Sequence, residues 1–336
     1  MMAEIAATAL TGYQELVHEL GGDPLLLLER VGIPRAVLEE PRGRICYASS
    51  IRLLEITAEA TDCPDFGLRL SRYQDPSILG PLAVAAQNSR TLGEAFSIAA
   101  NYFYVHTPAV FISLDSSDGA APRIVFELAL RGVGLAIQDT ELCLALSARA
   151  IEDMTGRGVQ AIRFRHPRVA PTRSYLRHFR CPVDFNCQQS AVVLGPGGFE
   201  RPITRAEEQL RELAEAYLQL QEKPHVSVAG RVRTALLRAL GTGASSCDDI
   251  ASSMAVHRRT LQRKLKVEGT TFEAIKDQVR ASLARQYLMS SELSISQIAV
   301  FLDYQGQSAL TRSCHRWFGT SPTAARATLT TKRPGA

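Results

Sequence analysis

Residues 246–269 read SCDDIASSMAVHRRTLQRKLKVEG, and this stretch predicts two short helices joined by a tight turn. Ser246 suits the N-cap of the first helix, because its hydroxyl can accept a backbone N–H and two aspartates follow in the first turn. The helical pattern breaks at Ala255-Val-His257 and resumes at Arg258. Gly269 suits the end of the second helix, since glycine readily adopts the left-handed backbone found there. The stretch therefore predicts a helix-turn-helix unit.

The second helix of this unit has a basic outer face. Leu261 and Leu265 are four residues apart and point towards the core. The side chains left around the outer surface are Arg258, Arg259, Gln262, Arg263 and Lys266. In the major groove, arginine can pair with guanine and glutamine with adenine, while other cations hold phosphates. These residues are our candidates for contact with double-stranded DNA, and the alternative is a solvated basic face.

The same plan recurs from Ser294. This residue begins a helix with Gln297 at the capping-box position, and Ile298-Ala299 repeats Ile250-Ala251. A second helix is then predicted over Gln307–Phe318. Its candidates for DNA contact are Gln307, Ser308, Thr311, Arg312, His315 and Arg316, among which Arg312 corresponds to Arg263. Because chance seldom produces such a motif twice, the duplication favours DNA binding over a solvated face.

A long helix is predicted between the two units, over Phe272–Ser290. Its apolar residues form one stripe, made of Ile275, Val279, Leu283 and Tyr287. A helix with this stripe would fix the two units relative to each other. Successive major-groove openings on one face of DNA are about 34 Å apart, so one chain could address two adjacent turns.

This region resembles the DNA-binding domain of the AraC/XylS family of bacterial transcription regulators. The resemblance is carried by Arg259-Thr-Leu-Gln-Arg-Lys-Leu265, Glu268-Gly-Thr-Thr-Phe272, Ile298-Ala299 and Arg316-Trp-Phe-Gly-Thr-Ser-Pro322. It implies an all-α domain with two helix-turn-helix units, promoter DNA and RNA polymerase as partners, and activation more often than repression. The chain departs from the family at the turn glycines, which are replaced by Ala255 and Asp303. Asp tolerates left-handed backbone better than Ala does.

Composition and charge agree with a two-part chain. Its 336 residues are 46% hydrophobic and 21% charged, which is typical of globular protein and enough for two domains. Residues 229–336 hold 16 Lys and Arg against 7 Asp and Glu, a net charge of +9. Residues 1–228 hold 22 against 27, a net charge of −5. A basic C-terminal part suits contact with phosphate.

We expect a cytoplasmic protein that has no membrane contact. No window reaches the roughly 18 uncharged apolar residues that a membrane span needs, and no basic stretch precedes an apolar run at the start. The seven cysteines are scattered without a Cys-x-x-Cys pair, so neither a metal nor a cofactor is expected. Gly195-Pro-Gly-Gly198 lacks the lysine of a phosphate loop and predicts a turn.

The N-terminal part predicts an α+β domain. Its predicted helices cover residues 10–20, 50–60, 92–104 and 135–154, and Thr91 suits the N-cap of the third. Its predicted strands cover residues 110–114, 124–130, 160–164 and 191–194. The first two strands flank a turn-forming segment, Asp115-Ser-Ser-Asp-Gly119, and therefore form a hairpin. This mixture fits α+β better than regular alternation of strand and helix.

An amphipathic helix is predicted over residues 204–221, with Leu210, Leu213, Tyr217, Leu218 and Leu220 as its apolar side chains. Pro224 follows it and marks the domain boundary. We predict an N-terminal domain of residues 1–222, a linker of 223–229, a C-terminal domain of 230–329 and a flexible tail of 330–336. The helix either closes the first core or pairs with its copy in a homodimer.

The first 220 residues resemble the arabinose-binding-like sensor domain of one subgroup of the same family. The segments that carry the resemblance are Asp65-Phe-Gly-Leu-Arg69, Thr91-Leu-Gly-Glu-Ala95 and Phe179-Arg-Cys-Pro-Val-Asp-Phe185. The resemblance implies a small-molecule effector or dimerisation, but it does not establish arabinose as ligand. Tyr102, Tyr104 and His106 are candidates for an effector pocket, and the alternative is hydrophobic core with one satisfied histidine.

Two alternatives to an effector-controlled regulator stay open. The first is a constitutive or partner-controlled regulator that binds DNA without an effector. The second is a DNA alkyl-repair methyltransferase, because some of these enzymes carry the same type of helix-turn-helix. They resemble one another by a Pro-Cys-His-Arg centre, and this sequence contains no Pro-Cys dipeptide. We therefore expect no enzymatic activity.

Overall fold

The computed structural model describes residues 3–38, 43–116, 121–130, 133–204, 206–221, 228–254, 256–290 and 293–331. The chain divides into two compact units, Met1–Pro224 and His225–Ala336. Most of the predicted linker (223–227), the end of the predicted tail (332–336) and the turn residue Ala255 lie outside the described residues. Among the described helices, none is both long enough and apolar enough to cross a bilayer.

The first unit combines helices with a mixed sheet, and the predicted α+β class is confirmed. Its helices are α1 (Tyr13–Glu19), α2 (Pro24–Arg30), α3 (Tyr47–Ala60), α4 (Phe66–Leu70), α5 (Pro81–Gln87), α6 (Leu92–Tyr102), α7 (Ile137–Thr155), α8 (Thr172–Phe179) and α9 (Glu208–Gln219). Its strands are β1 (Glu4–Ala6), β2 (Arg44–Cys46), β3 (Val110–Asp115), β4 (Arg123–Leu128), β5 (Ala161–Arg163), β6 (Val183–Asp184) and β7 (Ser190–Val193). The described strands of the larger sheet follow the order β3-β4-β7-β5-β6, with β5 and β6 parallel and the other neighbours antiparallel.

The predicted hairpin is confirmed as β3 and β4. These strands pair from Val110 opposite Leu128 to Asp115 opposite Arg123. At the turn end, the Arg123 guanidinium donates to the Asp115 carboxylate at 2.6 Å. The predicted turn falls largely on residues 117–119, which lie outside the described residues. The hairpin and the buried strand β7 place a continuous apolar surface under α6 and α7.

The first predicted helix is interrupted. Residues Ala7–Leu10 form a short 3-10 helix, and α1 begins only at Tyr13. Gly12 separates the two with a φ of +75°, and a Cβ at this position would lie 2.1 Å from the Cβ of Tyr73. A continuous helix over residues 10–20 is therefore wrong, because the chain turns at Gly12 and packs closely against Tyr73.

Two other helices are shorter than the sequence predicted. The Thr91 hydroxyl caps α6 as expected, but α6 ends at Tyr102 and Phe103–Val105 tighten into a 3-10 turn. α9 begins at Glu208 rather than at residue 204. The Thr204 N–H donates instead to the Met154 carbonyl, so this residue is committed to the end of α7.

No bounds were predicted from the sequence for β1, β2, β6, α2, α4, α5 or α8. The three strands are two or three residues long, which is too short for an alternating pattern to show. They form by pairing with other segments: β1 with β2, and β6 with β5. α8 buries only Tyr175 and Phe179, so its apolar signal rests on two residues.

A buried polar pair crosses the core of the first unit. Glu141 on α7 is fully buried and accepts a hydrogen bond from the Tyr175 hydroxyl at 2.6 Å. Burial raises the pKa of Glu141 to about 8. Burial also lowers the pKa of His166 to about 4, and its Nε2 lies 3.9 Å from the Glu141 carboxyl. At pH values of about 5 to 7 both groups are therefore neutral, and they do not form an ion pair.

The Glu141→Gln variant is expected to gain stability relative to the wild-type protein as the pH rises. The pKa of Glu141 rises from 4.5 to about 8 on folding. The stability linked to the protonated carboxyl is therefore complete below the unfolded value and is lost as the pH rises through the folded value. The glutamine variant avoids this loss, so its relative unfolding free energy should increase by up to roughly 4 kcal/mol between about pH 5 and pH 8.5.

Calorimetric unfolding of the full chain at both pH values measures this difference. Glu152→Gln is the matched control, because Glu152 lies on the exposed side of the same helix. The control should show no trend with pH. A difference between Glu141→Gln and wild type that stays constant with pH would contradict the neutral carboxyl.

The second unit consists of helices, as predicted. They are α10 (Val228–Ala239), α11 (Cys247–Ser253), α12 (Arg258–Val267), α13 (Phe272–Ser290), α14 (Ile295–Phe301), α15 (Gln307–Phe318) and α16 (Pro322–Thr331). The predicted stripe of α13 is buried at Ile275, Val279, Leu283 and Tyr287. α13 packs mainly against α10, α16 and α15, and its stripe belongs to one core that also contains the inner faces of α11, α12 and α14.

Candidate nucleic-acid interface

The first helix-turn-helix unit, α11 and α12, begins with a reciprocal cap. The Ser246 hydroxyl accepts the backbone N–H of Asp249 at 3.1 Å, and the Asp249 carboxylate accepts the backbone N–H of Ser246 at 3.0 Å. Hydrogen bonds from Ser246 lower the pKa of the Asp249 carboxyl. The cap confirms the predicted start of α11, which then buries Ile250 and Ala251.

The second helix-turn-helix unit, α14 and α15, begins in the same way. The Ser294 hydroxyl accepts the N–H of Gln297 at 3.2 Å, and the Gln297 side chain accepts the N–H of Ser294 at 2.9 Å. Ile298 and Ala299 are buried like their counterparts in α11. The predicted capping box is confirmed, and both units therefore start with the same local structure.

The turns of the two helix-turn-helix units are closed by equivalent hydrogen bonds. Across the first turn, the Val256 N–H donates to the Ala251 carbonyl at 3.0 Å. Across the second turn, the Tyr304 N–H donates to the Ala299 carbonyl at 2.9 Å. Asp303 adopts a φ of +53°, which confirms the left-handed backbone expected where it replaces glycine. The two units thus share the geometry of the closing hydrogen bond.

α12 presents a basic face on its outer side. Leu261 and Leu265 are fully buried, as their spacing predicted. The exposed polar side chains are Arg258, Arg259, Gln262, Arg263, Lys264 and Lys266. Arg258 Nη1 lies 2.9 Å from the Asp248 carboxylate of α11, so this arginine has an intramolecular partner. Within the described part of the chain, no hydrogen bond or ion pair engages the side chains of Arg259, Gln262 and Arg263.

α15 presents a more weakly charged face. Its exposed side chains are Gln307, Ser308, Arg312, His315 and Arg316, and Thr311 is half-buried. The Gln307 side chain accepts a hydrogen bond from the Ser296 hydroxyl at 3.2 Å, and the Thr311 hydroxyl donates to the Gln307 carbonyl at 2.9 Å. Arg316 is paired with Asp277 of α13, which also accepts from the Trp317 indole at 2.9 Å. Arg316 therefore anchors α15 on α13.

The recognition helices, α12 and α15, match position by position when each is counted from its first residue, Arg258 or Gln307. The buried positions pair Leu261 with Leu310 and Leu265 with Cys314. The outer positions pair Arg259 with Ser308, Gln262 with Thr311, Arg263 with Arg312 and Lys266 with His315. The same face is therefore presented twice, with three cations among these four positions on α12 and one arginine on α15.

α13 is hydrogen-bonded to both helix-turn-helix units through two cationic side chains. Lys276 Nζ donates to the Ser245 carbonyl at 2.7 Å, next to the cap of α11. The Arg280 guanidinium donates to the Leu302 carbonyl at 2.7 Å and to the Asp303 carbonyl at 2.8 Å, in the turn of the second helix-turn-helix unit. It also lies 4.4 Å from the ring centroid of Tyr304.

The Asp303 side chain completes this link from the other direction. Its carboxylate accepts hydrogen bonds from the Ser245 hydroxyl at 2.5 Å and from the Gly241 N–H at 3.0 Å. The turn of the second helix-turn-helix unit is therefore tied to the segment that precedes the first helix-turn-helix unit. These contacts join residues 58 and 62 positions apart, so no local sequence pattern predicts them. Together with α13, these contacts tie α12 and α15 into one compact unit.

The candidate effector residues lie in different places in the first unit. A cavity of about 130 Å³ lies between α5, α6, α7 and the β3–β4 hairpin, and His106 is part of its wall. Tyr102 instead packs with Leu82 and Leu218. The Tyr104 hydroxyl donates to the Gln221 carbonyl at 3.4 Å. Of these three residues, the structure brings His106 alone to the cavity.

Among the described residues, no group of three or more His, Cys, Asp and Glu side chains has the arrangement of a metal site. The cysteines are dispersed through both units as free thiols. The described surface with the most consistent chemistry is the pair of recognition helices. Two capped helix-turn-helix units, joined by one helix and each with an exposed recognition helix, define a DNA-binding protein.

The chain belongs to the AraC family of transcription regulators. Residues 21–203 match the family model described as the arabinose-binding domain of AraC transcription regulator, N-terminal, and residues 250–328 match a helix-turn-helix domain. The predicted resemblance is therefore confirmed in both parts of the chain. The protein is a DNA-binding transcription regulator with an arabinose-binding-like N-terminal domain.

Two relatives and one solved structure match the chain over most of its length. The chain is 37% identical over 327 residues to the HTH-type transcriptional regulator VirS of Mycobacterium tuberculosis, covering 96% of each chain. It is 28% identical over 317 residues to the ornithine utilization regulator of Pseudomonas aeruginosa, covering 92% of each. Among solved structures, the transcriptional regulator CdpR from Pseudomonas aeruginosa matches with a TM-score of 0.43 and 22% identity, covering 90% of this chain and 96% of that chain.

Proposed function

We propose that α12 and α15 bind two successive major-groove openings on one face of promoter DNA. The observation that carries this proposal is the matched register of the recognition helices, which presents the same face twice within one rigid unit. Arg259, Gln262 and Arg263 on α12, and Ser308, Thr311 and Arg312 on α15, face the bases. Lys266, Gln307 and the two paired arginines, Arg258 and Arg316, lie at the edges and hold phosphates.

Selection of operator DNA tests this proposal. The full chain is used to select bound sequences from a random DNA pool, and its affinity for the selected operator is measured by fluorescence anisotropy at fixed salt. We expect the operator to be bound at least about a thousandfold more tightly than a scrambled duplex of the same composition. Equal affinity for both duplexes would show that the basic face binds phosphate without reading sequence.

We propose that the N-terminal unit controls DNA binding through a small-molecule effector. An effector that binds better to the DNA-competent state shifts the population towards that state. The protein would then act in the cytoplasm as an activator that contacts RNA polymerase at the promoter. Membership of the family and the cavity beside His106 support effector control. The alternative is a regulator whose operator affinity responds to no small molecule.

We also propose that α9 forms a homodimer with its copy. Leu210, Leu213, Tyr217 and Leu220 recur at alternating spacings of three and four residues, which is the repeat of a coiled-coil seam. These side chains are exposed, with Leu213 at 71% and Leu220 at 81%. Only Ala214 and Leu218 of α9 are buried within the unit. An identical helix supplies the complementary apolar row that this seam requires.

The Leu213→Ser variant is expected to dimerise about tenfold more weakly than wild type, because two leucine side chains leave the seam of each dimer. Analytical ultracentrifugation of the full chain measures the change. Glu212→Ser, at the exposed neighbouring position on α9, is the matched control and should leave the association constant unchanged. A wild-type protein that stays monomeric at high micromolar concentration would contradict the proposed seam.

We propose that the protein acts without catalysis. Methyl transfer to cysteine requires an accessible thiolate. Burial raises the pKa of Cys181 and of Cys314 to about 11, and both side chains are buried. Cys314, which precedes His315, lies on the inner face of α15. A methyl-transfer assay with alkylated DNA tests this point, and methylation of any cysteine would overturn it.

A further inference from the structure

The cavity of the first unit exists because small side chains line three helices. Ala83 and Ala86 on α5, Ala95 and Ala99 on α6, and Ala150 on α7 all face it. Larger residues close the space on the sheet side, where Ile112 of β3 and Phe126 of β4 contribute to the wall. The helices and the sheet are therefore held apart at this place, and an apolar space remains in the core.

The size and lining of the cavity restrict what it can hold. Its volume of about 130 Å³ is close to that of an engineered apolar cavity of about 150 Å³ that stays dry and binds benzene. A sugar of this size would bury several hydroxyl groups against alanine, isoleucine and phenylalanine, where they would lack hydrogen-bond partners. The cavity therefore suits a mainly hydrocarbon ligand about as large as one aromatic ring.

His106 supplies a polar group inside this apolar wall. The side chain is 7% exposed, and within the described part of the chain no hydrogen bond reaches either of its ring nitrogens. Burial, together with the nearby Arg44, lowers the pKa of His106 to about 4, so the imidazole is neutral at physiological pH. A neutral imidazole has one donor and one acceptor nitrogen and can pair with a ligand hydroxyl in either role.

The charges around the cavity disfavour an ionic ligand. Asp75 and Gln87 are the exposed polar residues of the lining and mark where the cavity approaches solvent. Among the described lining residues there is no lysine or arginine that could pair with a carboxylate. The carboxylate of the lining, Asp75, is exposed at the rim and accepts the Ser77 N–H at 2.7 Å. A cation that entered the apolar interior would leave water for alanine and aromatic side chains, which is costly.

We infer that this cavity is the effector site and that it binds an uncharged molecule of about one aromatic ring with a single hydroxyl group, which hydrogen-bonds to His106. The inference rests on the proposed control of the protein by an effector, and it specifies the chemical class of that effector. It also assigns His106 the role of distinguishing a hydroxylated ligand from a plain hydrocarbon.

Fluorine NMR with the full-length protein tests this inference. The probes are 4-fluorophenol and fluorobenzene, with L-arabinose as a competitor. We expect both fluorinated probes to bind at one site, with 4-fluorophenol about fivefold tighter because of one added hydrogen bond. We expect no displacement of either probe by L-arabinose. Loss of the bound signal on addition of L-arabinose would overturn the inference.

Two variants and a matched control locate the site. Ala99→Leu should fill the cavity and weaken both probes at least tenfold, whereas Ala100→Leu, at the exposed next position of α6, should weaken neither. His106→Phe should still bind fluorobenzene but should lose the fivefold preference for 4-fluorophenol. Retained fluorobenzene binding also shows that this variant is folded. A preference that survives in His106→Phe would overturn the role of His106.

The inference and the proposed function fail in different ways. If 4-fluorophenol binds as expected but leaves operator affinity unchanged, the cavity assignment stands as a binding site and control by this ligand class is wrong. If another compound changes operator affinity equally in wild type and in Ala99→Leu, effector control stands and the cavity is not the effector site.

Discussion

Replacing Gln262 and Arg263 together by alanine is expected to weaken operator binding by about 3 kcal/mol, a factor of roughly 100. Both side chains are exposed on α12, and within the described residues neither has an intramolecular partner to lose. Folding should therefore be unaffected, and the loss should appear in the DNA complex alone. Fluorescence anisotropy with the selected operator at fixed salt measures the loss.

The comparison on α15 is the Gln307→Ala, Arg312→Ala variant, in which Arg312 matches Arg263. We expect a smaller loss there, because α12 carries more positive charge than α15 and Gln307 already accepts a hydrogen bond from Ser296. A greater loss from the α15 pair than from the α12 pair would contradict this order. Lys266→Ala separates phosphate contact from base reading, since it should weaken all duplexes equally and reduce the salt dependence.

Arg280→Ala is expected to destabilise the second unit by about 3 kcal/mol. The variant leaves the Leu302 and Asp303 carbonyls without their charged donor, and it removes the stacking of the guanidinium over Tyr304. The chain contains one tryptophan, Trp317, and it lies in this unit. Urea unfolding followed by its fluorescence therefore reports the stability of the second unit in the full chain.

Arg285→Ala is the control for this variant. Arg285 is exposed on the same helix and lies 5.6 Å from the Phe318 ring, so its removal should cost under about 0.5 kcal/mol. We also expect Arg280→Ala to bind operator less tightly at temperatures where it is folded, because the recognition helices are no longer held in one spacing. Wild-type stability and wild-type affinity in Arg280→Ala would contradict the role of α13 in fixing the two helix-turn-helix units relative to each other.

Most of the second unit could be predicted from the sequence because its signals are local. Ser246 and Ser294 are caps that act within one helical turn, and the stripe of α13 lies within a single helix. The duplication added a second, independent copy of each signal. The bonds that join the copies could not be predicted in this way. Arg280 and Asp303 contact groups 22 to 62 residues distant, and nothing near them in sequence indicates these partners.

The first unit was predicted less completely. Its long helices and its hairpin have clear periodicity, whereas β1, β2 and β6 exist through pairing across the chain. The cavity also has no local signal, since alanine is an ordinary helix residue and the space appears only when α5, α6 and α7 pack together. Tyr102, Tyr104 and His106 are close together in the sequence, and packing alone places His106 at the cavity and the two tyrosines elsewhere.

The candidate DNA-contact residues also differ in whether they have an intramolecular partner, and such partners lie far away in the sequence. The sequence placed Arg258 and Arg316 on outer helical faces, which is where the structure has them. It did not indicate that Asp248 and Asp277 pair with these arginines, because that depends on how α11 and α13 lie against the recognition helices. Arg263 and Arg312 occupy equivalent positions on α12 and α15. Among the described residues, no acidic side chain pairs with either of them.

Hydroxyl-radical footprinting of the full chain on its selected operator tests the central claim most directly. Two recognition helices held in one rigid unit should protect two regions about one helical turn apart on the same face of the DNA. The Gln262→Ala, Arg263→Ala variant should lose protection in one region, and the Gln307→Ala, Arg312→Ala variant in the other. A single protected region that both variants weaken equally would contradict binding through two recognition helices.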